Sequence, residues 1–167
     1  MKIKFIIKEE LSKKEAASIM RICEENHYDN GGTLHFKALE LPCKWTVLAK
    51  HDGKVVGYAV LYPEVLEKND VYVMQVAIDK NYQHLGIGTM LYDYAYRHCK
   101  GYSFFTSNVN EQNFVSQAFH EKMGMRKFGI DEDGFMYKKE VGKDVKESFE
   151  DAKPEYFETK ENEGENE

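Results

Sequence analysis

The sequence has little cysteine and no long hydrophobic run. Its 167 residues include three cysteines, Cys23, Cys43 and Cys99, which are widely spaced and form no C-x-x-C pair. A zinc site or a redox pair of thiols is therefore disfavoured, and reduced, partly buried thiols are predicted. No run approaches the ~20 apolar residues that cross a bilayer, and the N-terminal MKIKFIIKEE turns acidic before a signal-peptide apolar region is built. We expect a cytoplasmic protein without a membrane partner.

An excess of basic residues is also absent. The chain carries 23 Lys+Arg against 29 Asp+Glu, a formal charge of −6, and residues 1–140 are neutral because residues 141–167 hold ten acids and four lysines. Without a basic face to neutralise phosphates, nucleic-acid binding is disfavoured. The low apolar content of residues 141–167 predicts an acidic, largely disordered tail. Phe149, Tyr156 and Phe157 are the residues of this tail that could dock on the rest of the chain.

Residues 1–140 have the patterns of a single folded domain. The chain is 42% hydrophobic and 13% aromatic, which is enough for a packed core. Ser12 and Glu15 form a capping-box pattern, and Asp52-Gly53 between two apolar runs is a strong hairpin signal. The apolar patterns predict strands at 2–8, 45–49, 55–61, 71–78, 102–107, 125–130 and 135–139, and helices at 12–26, 89–99 and 112–123.

One segment indicates chemistry. Gln83-His84-Leu85-Gly86-Ile87-Gly88 lies between a predicted strand and a predicted helix. Glycines there let backbone amides approach a ligand, and the free amides and dipole of the helix point at the same place, as in a pyrophosphate site. The dinucleotide fingerprint is not met, because Leu91 stands at its third glycine position, and a Walker loop lacks its Gly-Lys-Ser/Thr. An ordinary tight turn is the alternative.

The surroundings of this segment resemble the GNAT superfamily of acyl-coenzyme A N-acyltransferases. Gln83, Gly86 and Gly88 meet the family pattern Q/R-x-x-G-x-G/A. Downstream, Asn113, Ser116, Phe119 and Glu121-Lys122-Met123-Gly124-Met125 are similar to the second signature, N-x-x-A-x-x-ϕ-Y-x-x-x-G-F. The resemblance is strongest over residues 70–126, and the tail has no counterpart in the family.

The resemblance implies a fold and an activity. The fold would be α/β (α+β), with a mixed, mostly antiparallel central sheet flanked by helices and a splayed strand pair forming the coenzyme A slot. The activity would be transfer of an acetyl group from acetyl-CoA to a primary amine of a small molecule or protein, by direct attack in a ternary complex. No metal is implied, and the six histidines lack metal-site spacing. A non-catalytic acyl-CoA-binding module and a tail that contacts a basic partner are the alternatives, and a homodimer is left open.

The resemblance also implies particular contacts with the cosubstrate. Amides of residues 85–89 would cradle the pyrophosphate, the backbone of residues 76–78 would pair with the pantetheine arm, and an amide near Ile78 would polarise the thioester carbonyl. Asn113 would hydrogen-bond the arm and Phe119 would line its wall, although ordinary core packing fits Phe119 equally. The full set of cofactor-binding candidates is Val76, Ala77, Ile78, Gln83, His84, Leu85, Gly86, Ile87, Gly88, Thr89, Asn113, Ser116 and Phe119.

The sequence departs from the family at the two positions where relatives carry the general acid and the general base. His120 stands where the family has the tyrosine that protonates the leaving thiolate, so His120 is the catalytic candidate. A partly exposed helix histidine, with the acid supplied by another tyrosine or by water, is the alternative. The central strand offers Tyr72 and Gln75 rather than a glutamate base. An acceptor pocket is expected from the first helix, residues 27–44 and the 128–137 hairpin, with an aromatic set that core packing also explains: His27, Tyr28, Asp29, His35, Trp45, Tyr58, Tyr62 and Tyr137.

Overall fold

The computed structural model describes residues 1–26, 45–64 and 68–159, and within them the predicted order of strands and helices is confirmed. Two of the local signals are also confirmed. Ser12 Oγ accepts the Glu15 amide at 3.1 Å while Glu15 Oε1 accepts the Ser12 amide, and Asp52 and Gly53 both have positive φ in a hairpin turn. The elements are β1 Lys2–Lys8, α1 Lys13–Glu25, β2 Trp45–His51, β3 Lys54–Glu64, β4 Asp70–Ile78, a 3-10 turn Lys80–Tyr82, α2 Ile87–Tyr96, β5 Phe104–Val109, α3 Phe114–Lys122, β6 Arg126–Asp131, β7 Gly134–Glu140 and β8 Glu155–Glu158.

The strands form one mixed sheet with helices on both faces. Its order is β6-β7-β5-β4-β3-β2-β1-β8, and every neighbouring pair is antiparallel except β4 and β5. Ile19 of α1 belongs to one core cluster with Leu48, whereas Leu91 of α2 belongs to the other cluster, with Val47, and Phe119 of α3 packs against that second cluster. Adjacent residues of a strand point to opposite faces. The predicted mostly antiparallel sheet flanked by helices is therefore confirmed.

The parallel pair β4 and β5 separates part-way along its length. Their register runs from Asp70 opposite Phe104 to Val73 opposite Ser107, although β4 continues to Ile78 and β5 to Val109. A bulge at Met74, where β4 shifts its register against β3, begins at the same level. The result is an opening between the two strands, here called the β4–β5 gap, with its apex at Val73 and Ser107.

The prediction of a disordered tail from residue 141 onward is wrong for residues 141–159, here called the C-terminal segment. Its strand β8 pairs with the edge of the sheet, with Phe157 opposite Ile3. Phe149 is 3% exposed and stacks on Trp45 with ring centroids 5.6 Å apart. Phe149 and Phe157 overcome the high charge of the segment because they bury apolar surface against the domain. Residues 160–167 lie outside the described residues.

Candidate active site

The segment after β4 begins with a rigid turn. The Asp79 carboxylate is 1% exposed, and its Oδ1 accepts the Asn81 amide at 2.9 Å, which closes the 3-10 turn. Its Oδ2 lies 3.1 Å from Nη2 of Arg21 on α1. A buried carboxylate with both oxygens engaged fixes the direction in which the chain leaves β4.

The loop that follows presents a row of backbone amides. His84 and Gly86 have φ values of 64° and 84°, and Gly86 caps α2 without a side-chain hydrogen bond. In the described parts of the chain, none of the amides of residues 83–89 donates to a protein acceptor. A Cβ placed on Gly86 would have nothing within 4 Å. Left-handed residues at the start of a helix turn successive N–H groups to one side, which makes an anion-binding concavity.

Gln83 faces away from this concavity. Its Nε2 donates to Asn26 Oδ1 and to the Ile78 carbonyl, both at 3.1 Å, and Asn26 Nδ2 donates to the same carbonyl. The side chain of Gln83 therefore ties the loop to the end of α1 and to β4, which leaves only its backbone amide for a ligand. Asn26 was missed by sequence reasoning, because nothing in the local pattern connects it with a loop 57 residues away.

Other cosubstrate candidates lie around the gap. Val76 and Ile78 are half-buried against the α2 side of the sheet, whereas Ala77 is buried on the α1 side. On α3, Asn113 is the N-cap, and its Oδ1 accepts the Ser116 amide at 3.0 Å. The structure therefore brings residues 76–78 and the loop together, and it places Asn113 in a capping role.

The catalytic candidate His120 is 3% exposed and hydrogen-bonded at both ring nitrogens. Its Nδ1 lies 2.7 Å from the Ser116 carbonyl, and its Nε2 lies 2.9 Å from the Tyr92 hydroxyl and 3.2 Å from Ser107 Oγ. Burial lowers the pKa of the imidazole, and the Ser116 bond opposes this only in part. His120 is therefore a buried, neutral histidine, unlike the partly exposed one considered above.

Comparison with known proteins decides the family. Residues 11–125 match the model of the acetyltransferase (GNAT) family. The chain belongs to this family. It is accordingly an acyltransferase. No curated protein matches it in sequence.

Solved GNAT structures share its fold. A GNAT-family protein from Desulfovibrio desulfuricans has a TM-score of 0.71 at 17% identity, over 83% of this chain and 99% of that one. The ribosomal-protein-S18-alanine N-acetyltransferase from Escherichia coli gives 0.68 at 17%, over 82% and 94%. The PaiA N-acetyltransferase from Thermoplasma acidophilum, solved with coenzyme A, gives 0.62 at 17%, over 81% and 98%. At these identities the likeness concerns the fold.

The expected aromatic wall of the acceptor pocket falls mostly in the GNAT core. Trp45, Tyr58 and Tyr137 are 9%, 0% and 0% exposed, and Tyr62 is half-buried. Core packing, the alternative stated above, accounts for the three buried rings. His27, Tyr28, Asp29 and His35 lie outside the described residues.

β4 carries one carboxylate, Asp70 at its first position, and burial raises the pKa of this side chain; next to the gap the strand offers Tyr72 and Gln75 instead. Gln75 Oε1 accepts the Tyr58 hydroxyl at 2.9 Å. Burial raises the pKa of Tyr72, and the nearby carboxylates of Asp133 and Asp131 raise it further. Tyr72 therefore stays protonated and lies toward the β6–β7 hairpin.

The described ranges hold neither a metal site nor a membrane-spanning helix. No group of three His, Cys, Asp or Glu side chains in them is arranged to hold a metal ion. None of their helices is long and apolar enough to cross a membrane.

Proposed function

We propose that this GNAT protein transfers an acetyl group from acetyl-CoA to a primary amine by direct attack in a ternary complex. The observation that carries the proposal is the row of amides at residues 83–89, for which the described residues supply no acceptor and which lies where β4 leaves the sheet. Such a row suits a pyrophosphate, and the PaiA relative was solved with coenzyme A.

In this proposal, the rest of the cosubstrate binds in the β4–β5 gap. With the pyrophosphate on residues 85–89, the pantetheine arm extends along residues 76–78 like an added strand, and an amide of that segment polarises the thioester carbonyl. Ser116 and Phe119 form the neighbouring wall on α3, and His120 stands at the position of the family tyrosine. The GNAT fold thus orients the thioester mainly through backbone groups.

The acetyl transfer needs a neutral amine. As its nitrogen bonds to the thioester carbon, the carbon–sulfur bond breaks and its electron pair leaves with sulfur. A lysine-like amine with a pKa of ~10.4 is almost fully protonated at pH 7, whereas an α-amino group has a pKa of ~7.7–8.0. Because β4 offers Tyr72 and Gln75, the amine loses its proton through water, and a weakly basic amine is favoured.

The proposal is tested by measuring coenzyme A release from acetyl-CoA with a panel of amines, and by a pair of glycine variants. Gly86→Ala and Gly101→Ala place the same methyl at φ 84° and 94°, each with nothing within 4 Å. Both lose about 1 kcal/mol of stability from the left-handed backbone. We expect only Gly86→Ala to weaken acetyl-CoA binding, by about tenfold, because only there is the amide row disturbed. Equal affinities for the two variants would contradict the assigned site.

A non-catalytic acyl-CoA-binding module is the second candidate. The observation in its favour is His120, which is buried and neutral where the family has a tyrosine. Tight acetyl-CoA binding with no thiol release from any amine would support the module, whereas turnover supports the enzyme.

A further inference from the structure

An open cavity of about 590 Å³, here called the α1 cavity, lies between α1 and the β2–β3 hairpin. One of its lining residues, Val55, belongs to the same core cluster as Ile19 and Ile22 of α1. Helix α2, which begins at the row of free amides, contributes Ile87 and Leu91 to the other core cluster. The α1 cavity is therefore on the opposite side of the sheet from α2, and the proposed acetyl transfer does not use it.

Positive charge dominates the lining of the α1 cavity. Two acidic side chains, Glu15 and Asp52, are among the described residues that line it. The cationic lining residues are more numerous and come from β1, α1, β2 and β3: Lys8, Lys14, Arg21, Lys50 and Lys54. Sequence reasoning missed this concentration, because residues 1–140 are neutral as a whole and only the fold brings the four elements together.

Two of these cations are held in place by one carboxylate. Lys8 Nζ lies 2.6 Å from Glu15 Oε1, and Lys50 Nζ lies 2.7 Å from Glu15 Oε2. The Glu15 side chain is 7% exposed and also caps α1, so it fixes both ammonium groups on the cavity wall. A single carboxylate leaves one of the two positive charges unneutralised. Because the two cations are already ordered, a ligand that binds them pays little of the usual cost of immobilising side chains.

The remaining cations differ in how far they are neutralised. Arg21 Nη2 lies 3.1 Å from the buried carboxylate of Asp79, so its charge is balanced. Lys14 and Lys54 are exposed and have no carboxylate partner in the described part of the chain. Asp52, at the hairpin turn, offsets one of these two lysines at most. With the charge left over from the Glu15 pair, the α1 cavity therefore keeps two positive charges in excess.

We propose that the α1 cavity binds a small phosphate monoester. Such a group carries about two negative charges at pH 7, which equals the excess of positive charge in the cavity. Its oxygens accept hydrogen bonds from ammonium and hydroxyl groups, and the wall offers the lysines together with the Ser18 hydroxyl. Glu15 draws Lys8 and Lys50 together, so they converge on one anionic group, which favours a phosphate over a dicarboxylate with separated charges.

The size and field of the cavity fit the same class of ligand. Its volume of about 590 Å³ exceeds what a phosphate group alone fills and lies within the usual range for sites of small organic ligands. A concave surface with charge of one sign also concentrates counter-ions from solution. The organic part of the ester therefore has room beside the phosphate. This inference does not depend on the proposed acetyl transfer.

The test is a titration with glycerol 3-phosphate, followed by calorimetry and by the amide NMR signals of Ser18 and Gly53. Lys14→Gln and Lys54→Gln should each weaken binding about tenfold, the effect of one charge-assisted hydrogen bond. Lys13→Gln is the matched control, because it removes the same charge from the neighbouring exposed position, which does not line the cavity. Its affinity should stay native. Glycerol should not bind, and succinate should bind more weakly than glycerol 3-phosphate.

A second arm separates the α1 cavity from the row of amides at residues 83–89. Gly88→Asp places a negative charge in that row and should leave the affinity for glycerol 3-phosphate unchanged. Equal affinities of Lys13→Gln and Lys14→Gln, equal binding of succinate, or no binding by the native chain would overturn the inference. Loss of binding in Gly88→Asp would also overturn it, since the phosphate then sits on the amide row. The proposed function is judged separately, by the affinity for acetyl-CoA, which Lys14→Gln should not change.

Discussion

The amides of residues 83–89, at and just before the N-terminal end of helix α2, have no described protein acceptors. The residues at the C-terminal end of α2, by contrast, form hydrogen bonds and ion pairs with the C-terminal segment. Tyr94 donates to the Lys153 carbonyl at 2.7 Å, and Arg97 bonds both oxygens of Glu155 at 2.9 and 2.6 Å. His98 Nε2 lies 2.7 Å from a Glu147 carboxylate oxygen. One helix thus has an end suited to a ligand and an end that stabilises the fold, and the two should respond separately to mutation.

The largest expected effect is at the C-terminal end of α2, which is bonded to the C-terminal segment and is here called the closed end. Phe149→Ala removes a ring that is 3% exposed and stacked on Trp45. We expect a loss of about 3–5 kcal/mol in the free energy of unfolding, as for other buried aromatic truncations. Acetyl-CoA affinity of the folded fraction should not change. Thermal unfolding and calorimetric titration measure the two quantities. Tyr156→Ala, 59% exposed in the same segment, is the control and should cost far less.

The N-terminal end of α2 with the amides of residues 83–89, here called the open end, should show the opposite response. Gly88→Asp places a carboxylate among the amides, where a Cβ meets only Ile78 Cγ1 at 3.9 Å. The new charge competes with a pyrophosphate and repels it, so affinity for acetyl-CoA should fall about 100-fold. The melting temperature should hold or rise, because the carboxylate favours the helix N-terminus. Gly88→Ala should keep most of the affinity. A stable Gly88→Asp variant with native affinity would contradict the assignment of this end.

The two ends also differ in how far the sequence predicts them. The open end is local: a strand, two glycines and a helix within residues 70–96 contain the whole pattern, so the succession of strand, turn and helix was predicted correctly. The closed end depends on contacts such as Phe149 with Trp45, between residues about one hundred positions apart, and charge composition suggested disorder instead. The Met74 bulge and the Tyr92–His120–Ser107 cluster were missed for the same reason, since tertiary packing creates them and no periodicity records it.

The N-terminal end of α1 contrasts with that of α2, because the first amides of α1 are capped by side chains. Glu15 has a side chain 7% exposed, with Lys8 and Lys50 at 2.6 and 2.7 Å. Burial alone would raise the pKa of Glu15, but hydrogen bonds from Lys50, Lys8 and the Ser12 amide outweigh it and lower the pKa to about 2. A carboxylate with a depressed pKa in the folded state stabilises the fold above its unfolded pKa of 4.5, and this stabilisation is lost as pH falls from there toward 2.

Glu15→Gln should therefore cost about 2 kcal/mol at pH 7 and remove most of the loss of stability between pH 4.5 and 2. Denaturant unfolding at a series of pH values measures both effects. Glu10→Gln, at an exposed position just before the helix, is the control and should leave the pH profile unchanged. Acetyl-CoA affinity should be unaffected in both variants, because the capped end of α1 contributes to fold stability and the proposed cosubstrate site lies at the uncapped end of α2. A profile that keeps its slope in Glu15→Gln would show that other carboxylates carry the acid sensitivity.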